Sequence, residues 1–376
     1  MNHATDVLII GGGVIGAAIA YNLRKRDIDV MVLERGEIGG QASSAAAGLL
    51  APLGPLSGPD PRADLLLASF AMFPSLVPEL EETSGLRLAF ERPGALRTVR
   101  NPKRLANLQK RMKAWEPLGL QMSWLTGDEA RQQEPLLGPE VCAAIYAPEE
   151  SQINAAQVVY AFARAASKLG ASLYSHTEAV HLQRSGNKIT GVRTTHGEIF
   201  TCNRLILAPG AWASEYEQWL NLSIPVSPLR GQMLALQAPT PALKHIIFGD
   251  GIYIAPRGSS VIVGATKEEV GFDVQVTAEG ISSLYETALK FIPTLRVCER
   301  ERTWAGLRPS TPDHDPILGA APGWENVILA TGHNSVGIML SPLTGQAIAE
   351  LVATGHAPDV IRPFSLERFQ TQAVVS

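Results

Sequence analysis

A run of six residues, Gly11-Gly12-Gly13-Val14-Ile15-Gly16, constrains the fold of this 376-residue chain more than any other feature. Val7-Leu8-Ile9-Ile10 before it is the continuous apolar run of a parallel strand covered on both faces. After it, Ala17 to Arg26 carries Ala20 and Leu23 at helical spacing, and Val30-Met31-Val32-Leu33 reads as a second buried strand ending at Glu34. Strand, glycine turn, helix and strand in that order predict one dinucleotide-binding half of a doubly wound α/β sheet. Gly11 permits the tight turn, Gly13 lets the backbone approach a pyrophosphate, and Gly16 lets the helix lie close on the strand. The helix N-terminus offers free N–H groups to the phosphate. Glu34 stands 18 residues after Gly16, at the strand end, where a carboxylate accepts hydrogen bonds from both hydroxyls of an adenosine ribose.

Composition removes several other classes. With 45% hydrophobic and 18% charged residues the chain is globular, not disordered. A net charge of −4 leaves no excess of Lys and Arg for neutralising nucleic-acid phosphates, so small molecules are the expected partners. Cys142, Cys202 and Cys298 are far apart and form no zinc-type spacing, which predicts a reduced, cytoplasmic protein without a metal site. No basic segment precedes the first apolar run, so no signal peptide is expected. No uninterrupted stretch reaches the roughly 18 apolar residues of a membrane span; segment 337–353 comes nearest, interrupted by Ser341, Pro342, Gln346 and Glu350.

Further along, helical patterns occupy about 63–84 and 102–117, and Asn154 reads as the N-cap of a helix through Lys168 that stops at Gly170. Short strands with turns at 185–187 and 195–197 lead into Leu205-Ile206-Leu207-Ala208. Residues 224–305 predict an antiparallel sheet with strands Gln232–Leu236, Gly251–Pro256, Val261–Gly264 and Cys298–Trp304, a hairpin turn at 257–260 and a helix near 279–292. Val327–Ala330 then leads into a last helix. This order implies a parallel sheet assembled from distant segments with a second sheet inserted into it. An enzyme built on two nucleotide-binding halves would show the second half next; the small residues Ser43-Ser44-Ala45-Ala46-Ala47-Gly48 stand there instead, able to lie along a buried cofactor.

The glycine loop, the Ser-Ala-Ala-Ala-Gly segment, Pro228-Leu229-Arg230-Gly231-Gln232, Trp304-Ala305-Gly306-Leu307-Arg308-Pro309 and the Gly332-His333 segment occur in family order. Together they resemble the FAD-dependent amine oxidases of the D-amino-acid oxidase superfamily, in particular the glycine oxidases of thiamine biosynthesis, over about residues 5–365. The resemblance implies an α/β, Rossmann-like FAD-binding domain from 1–84, 150–220 and 306–370, with an inserted α+β, antiparallel-sheet substrate domain from 85–149 and 221–305. FAD would lie extended, its adenosine at Glu34 and Arg35 and its pyrophosphate at the Gly11, Gly13, Val14, Ile15 and Gly16 loop. Its flavin would lie near Ala42, Ser43, Ala47 and Gly48, with backbone approaches at Ala179 and Gly210. His333, Asn334, Ser335, Val336, Gly337, Ile338 and Met339 would cover the flavin's pyrimidine edge, where a helix N-terminus stabilises negative charge. With no Cys in the glycine loop or at 332–339, the flavin is expected to be held non-covalently.

Arg308 would anchor an amino-acid carboxylate, since a guanidinium matches a carboxylate with two parallel bonds. Tyr253 would assist there, with Leu49 and Ser335 also on the substrate side; Trp304 reads as packing, and the cluster Lys103, Arg104, Lys110, Arg111 and Lys113 as a solvated face. The implied chemistry is oxidation of glycine, sarcosine or a small D-amino acid by hydride transfer to flavin N5, with O2 as the electron acceptor and no protein acid or base. One departure stands out: glycine oxidases usually read Gly-His-aromatic-Arg-Asn-Gly, and this chain reads Gly332-His333-Asn334-Ser335-Val336-Gly337. Ser335 replaces a second arginine, which leaves the preferred substrate open, and Lys267 is a candidate to compensate. A dehydrogenase delivering electrons to a quinone or carrier, a non-catalytic flavoprotein and an NAD enzyme are the competing readings. Oligomeric state, including a homo-oligomer, is open.

Overall fold

A computed structural model of the chain describes residues 2–370. Its first sheet places the strands Ser172–Tyr174, Val30–Leu33, Asn2–Ile10, Ile199–Leu207 and Val327–Thr331 side by side, all parallel, with Ile317–Ala320 antiparallel at the edge. The central strands alternate as a doubly covered sheet requires. Val7, Ile9, Val30, Val32, Ile206 and Ile328 pack under the helices Val14–Arg24, Pro61–Ser84, Ala155–Lys168 and Gly337–Thr354. Leu8, Ile10, Leu33, Leu205, Leu207 and Leu329 face the other way, onto the meander Ala179–Ser185, Lys188–Thr194 and its partners Leu182, Ile189 and Val192. Burial on both faces is why these strands read as unbroken apolar runs.

Local signals set the helix ends. The Asn154 side chain accepts from the Gln157 amide at 3.2 Å and starts the helix Ala155–Lys168, and Asp60 caps Pro61–Ser84 through the Ala63 amide at 2.7 Å. The glycine-loop helix and the helix Gly337–Thr354 cross closely at Gly345, where any Cβ would crowd the Ala18 carbonyl. Helix Pro61–Ser84 and segment Asn334–Thr354 are long and apolar enough, averaged over a span-length window, to cross a membrane; the sequence singles out only the second, as segment 337–353. In the fold 67% of the second window is buried, against the sheet and its neighbouring helices.

The second sheet runs Arg300–Ser310, Ser227–Gln237, Ser260–Gly264, Ile252–Arg257, Ile246–Gly249, Ala95–Val99, Ala143–Ala147 and Ser123–Thr126. Three strands of its outer half come from residues 95–147, which sequence patterns did not resolve: these are short, and Ala-Leu-Arg-Thr-Val at 95–99 lacks alternation because it is buried throughout. The sheet is also mixed, not purely antiparallel, since Ile246–Phe248 pairs parallel with Ala95–Arg97. The strand expected at 298–304 in fact extends through Ser310, paired with Ser227–Leu236 along its length, so it crosses residue 305 unbroken and carries Arg308 on the second sheet.

One face of this sheet buries Leu96, Ile247, Ile254, Val263 and Leu234 against the helix Ala278–Leu289. Register puts Arg97, Phe248, Tyr253, Met233 and Trp304 in one row on the opposite face, across six strands with Gly264 on the strand between Tyr253 and Met233. That face looks onto the ends of the parallel strands. Gly345→Val is expected to lower unfolding free energy by about 1–3 kcal/mol through overpacking, measured by denaturant titration.

Candidate active site

The carboxyl ends of the parallel strands open into one cavity, the place where doubly wound sheets hold ligands. Ile10, Leu33, Ala208 and Ala330 mark those ends on its wall. The glycine loop meets the physical demand expected of it. Gly11 has φ 110°, and a Cβ there would overlap the Ala208 carbonyl, while a Cβ on Gly16 would overlap the Gly11 carbonyl. Gly13 caps the helix without a side chain, and Ser43 Oγ accepts instead from the Val14 amide at 3.0 Å. The amides of Ile15 and Gly16 precede the first intrahelical bond, Ala17 N–H to the Gly13 carbonyl at 3.0 Å, so the helix start faces the cavity with donors.

Glu34 is held by the loop it serves. Its two carboxylate oxygens accept from the Gly12 and Gly36 amides, each at 2.8 Å. A carboxylate has about four acceptor sites, leaving two for a diol. Beside it the Arg35 guanidinium lies 4.4 Å from the Trp212 ring centre and Nη1 is 3.2 Å from Glu215, and Trp212 stacks on Phe272 at 5.6 Å. This end suits a flat base and a ribose.

The small-residue segment forms the opposite wall. Gly48 has φ 73°, and a Cβ would overlap the Ile153 carbonyl. The second sheet grips the segment with two donors: Trp304 Nε1 donates to the Ala45 carbonyl at 2.9 Å, and Arg257 Nη2 donates to the Ala47 carbonyl. A Cβ on Gly306 would press on the Ala45 methyl, so glycine at 306 sets how near the arginine strand comes. Trp304 therefore packs, as expected, and also fixes the cavity wall.

Arg308 lies across Gly231, where a Cβ would overlap its guanidinium. Its Nη1 donates to the Thr266 carbonyl at 3.1 Å, and among the described residues no carboxylate forms an ion pair with it. Burial lowers its pKa, opposed by Tyr253 and Glu268, and it stays a cation. The Tyr253 hydroxyl donates to Met233 Sδ at 3.1 Å; burial pushes its pKa up to about 12 against the pull of Arg308 and Arg257, so it is a neutral donor. Arg308 and Tyr253 stand where the cavity meets a wider cleft that Leu49, Lys267 and Ser335 also line.

Of the residues singled out from sequence, Gly11, Gly13, Val14, Ile15, Glu34 and Arg35 line the first part of the cavity. Ala42, Ser43, Ala47, Gly48, Leu49, Ala179 and Gly210 continue it, and Tyr253, Arg308, His333, Asn334, Ser335, Gly337 and Ile338 close it. Gly16 stands behind the loop, and Val336 and Met339 turn toward the adjoining cleft. His333 is 2% exposed with Nε2 3.2 Å from Thr344 Oγ1, and burial pushes its pKa down to about 3; what remains for a ligand at this turn is largely backbone. Sequence patterns missed Trp212 and Tyr216, aromatics in a segment with no motif, and Met233, which follows the Pro228–Gln232 motif, on the cavity wall, and Arg257, a hairpin residue that holds that wall through the Ala47 carbonyl. A chain of these dimensions, glycine cradle, donor-rich helix start and clamped diol acceptor fits FAD.

Comparison with known proteins agrees. The family model described as FAD dependent oxidoreductase (DAO) matches residues 6–351. The glycine oxidase of Geobacillus kaustophilus is 36% identical over 98% of both chains, and its crystal structure superposes with a TM-score of 0.93 over 97% of this chain and 98% of that one. The hydrogen cyanide synthase subunit HcnC of Pseudomonas aeruginosa is 31% identical over 99% of this chain and 98% of its own. The bifunctional protein ThiO/ThiG of Trichormus variabilis is 35% identical over 98% of this chain, which spans 56% of that protein.

The His333 pKa has a consequence for acid stability. Because it lies below the unfolded value of about 6.5, the neutral, buried ring contributes stability that is complete above pH 6.5 and lost as pH falls toward 3. His333→Gln is expected to flatten the decline of Tm between those limits relative to the parent, read by thermal melts across the range.

Proposed function

Because this chain belongs to the FAD-dependent oxidoreductase family, we propose that it oxidises a small amino acid or amine at the carbon that carries the nitrogen. The observation that carries this reading is the Arg308 guanidinium, without an ion-pair partner among the described residues, beside the neutral Tyr253 hydroxyl where cavity and cleft join. Glu34 and Arg35 would take the adenosine, the loop at Val14 and Ile15, through the Ile15 amide and the Ser43 hydroxyl, the pyrophosphate, and Ala42 to Gly48 with the 333–339 turn the flavin ring. When bound, FAD supplies a two-electron acceptor at N5 and passes those electrons to O2, giving H2O2.

The chain's own work is positioning. Arg308 takes the substrate carboxylate through two parallel charge-assisted bonds, and Tyr253 donates a third. Thr266 and Gly231 hold the guanidinium, one by a hydrogen bond and one by giving it room, so the α-carbon is presented in one orientation. The substrate amine binds neutral, its lone pair assisting as hydride leaves, and the Tyr253 and Arg308 donors, both protonated, take no proton from it. The imine leaves the site and hydrolyses to an oxo acid and ammonia. Ser335 in place of a second arginine leaves the carboxylate to Arg308 and Tyr253, which relaxes the demand for the smallest substrate.

The decisive experiment is peroxide release by the purified yellow protein across glycine, sarcosine, D-alanine and D-proline. Turnover of at least one supports the reading; a flavin-loaded protein inert toward all of them contradicts it. If the electrons go to a carrier instead, photoreduced protein stays bleached in air, and rapid recolouring supports the oxidase. Arg308→Ala is expected to lower kcat/KM by roughly 100-fold or more with flavin content kept. Glu34→Ala leaves two loop amides without their acceptor and is expected to weaken FAD binding about 10-fold or more, measured by equilibrium dialysis.

A further inference from the structure

The cleft that meets the cavity at Arg308 and Tyr253 holds cationic groups the reaction does not use. Most are matched: Arg100 pairs with Glu140 and Asp250 at 2.6 and 2.7 Å, Arg104 reaches Asp250 at 3.4 Å, and Arg62 pairs with Asp315. Lys267 forms no ion pair among the described residues, and a second unmatched group is built around Trp115. The Arg97 guanidinium lies 5.5 Å and the Arg111 guanidinium 4.5 Å from its ring centre. Both gather at one turn: Arg111 Nη2 is 3.5 Å from the Gly54 carbonyl, and a Cβ on Gly54 would sit 3.7 and 3.8 Å from the Arg97 terminal nitrogens.

Two positive charges meet one negative charge here. Arg97, 6% exposed, donates Nη2 to Glu150 Oε1 at 2.5 Å, and the same oxygen accepts from the Leu53 amide at 3.1 Å. Arg97 Nε is buried with no partner. Arg111 forms no ion pair among the described residues, and desolvation together with the Arg97 charge lowers its pKa, the mark of a cation that lacks a counter-ion.

Register fixes where this pair stands relative to the reaction. Arg97 faces Phe248 and Phe248 faces Tyr253 in one row, so all three side chains leave the same face of the sheet. Two strand spacings put the Arg97 and Tyr253 backbones about 10 Å apart, and the Arg97 guanidinium leans over the Phe248 ring at 4.3 Å. The Tyr253 hydroxyl leans the other way, across Gly264 to Met233 Sδ, so guanidinium and hydroxyl stay about two strand spacings, roughly 10 Å, apart, a gap that a side arm of a few methylenes spans with a hydrogen bond at each end.

We propose that Arg111 and Arg97 form a second anion subsite, and that this protein takes an amino acid bearing a further negative group at the end of its side chain. This rests on the reading of Arg308 as the anchor of the α-carboxylate. Carboxylate and phosphonate share the required chemistry.

The test compares kcat/KM for both enantiomers of glutamate against glutamine, isosteric and uncharged, and of 2-amino-4-phosphonobutyrate as the phosphonate arm. The parent is expected to favour one charged substrate over its neutral counterpart by about 10-fold or more, and in Arg111→Gln that ratio falls to about one. Arg111 is exposed, so the variant is expected to fold. Glutarate against butyrate, neither of which can be oxidised, gives a second readout: glutarate raises Tm further in the parent and loses that advantage in Arg111→Gln. No preference for charge in the parent, or a preference that survives Arg111→Gln, overturns the subsite. Failure to oxidise any of the amino acids tested, charged or neutral, would instead count against the oxidation reading, and the glutarate shift still decides the subsite.

Discussion

The contact on which the site depends is the seam between the arginine strand and the small-residue segment. Trp304 donates to the Ala45 carbonyl, Arg257 to the Ala47 carbonyl, and Gly306 lets the strand come against the Ala45 methyl. This seam joins the second sheet to the segment that walls the cavity of the first. It sets the height of Arg308 and Tyr253 above that wall, and therefore the gap in which a substrate carbon must meet a cofactor. A larger side chain at 306 would open that gap, and hydride transfer is sensitive to displacements of about 1 Å.

The same logic of backbone without side chain made the first half of the fold readable from sequence. Gly11 and Gly16 sit where any Cβ would strike a carbonyl, so the spacing of the glycines is a direct imprint of packing. Glu34, Asn154 and the apolar runs were readable because each answers one local demand: a strand end, a helix start, a doubly buried strand. The outer strands of the second sheet were not, since Ala95–Val99 and Ala143–Ala147 form only by pairing with each other and, for the former, with a strand about 150 residues away. Arg111 is exposed, as the helix pattern predicts, and Trp115 stands one turn on in the same helix, but the approach of Gly54 and Arg97 to it arises only in the fold.

Electrostatics divide the site into two ends with different rules. Around Glu34 the donors are backbone amides and the charge is negative, suited to hydroxyls. Around Arg308 the charge is positive and the local phenol neutral, suited to a carboxylate. His333 lies between them in sequence of function but contributes no charge, since burial keeps it neutral. The polarity thus runs along one cavity, as the proposed placement of an extended cofactor at one end and a small acid at the other requires.

At this site a small amino acid is proposed to deliver two electrons to FAD. The most direct measurement is anaerobic mixing of the purified holoprotein with glycine, sarcosine and small D-amino acids while the oxidised-flavin band is followed. Bleaching by at least one of them, slowed strongly in Arg308→Ala, is the predicted result. A band that none of them bleaches, or bleaching that Arg308→Ala leaves unchanged, would contradict it.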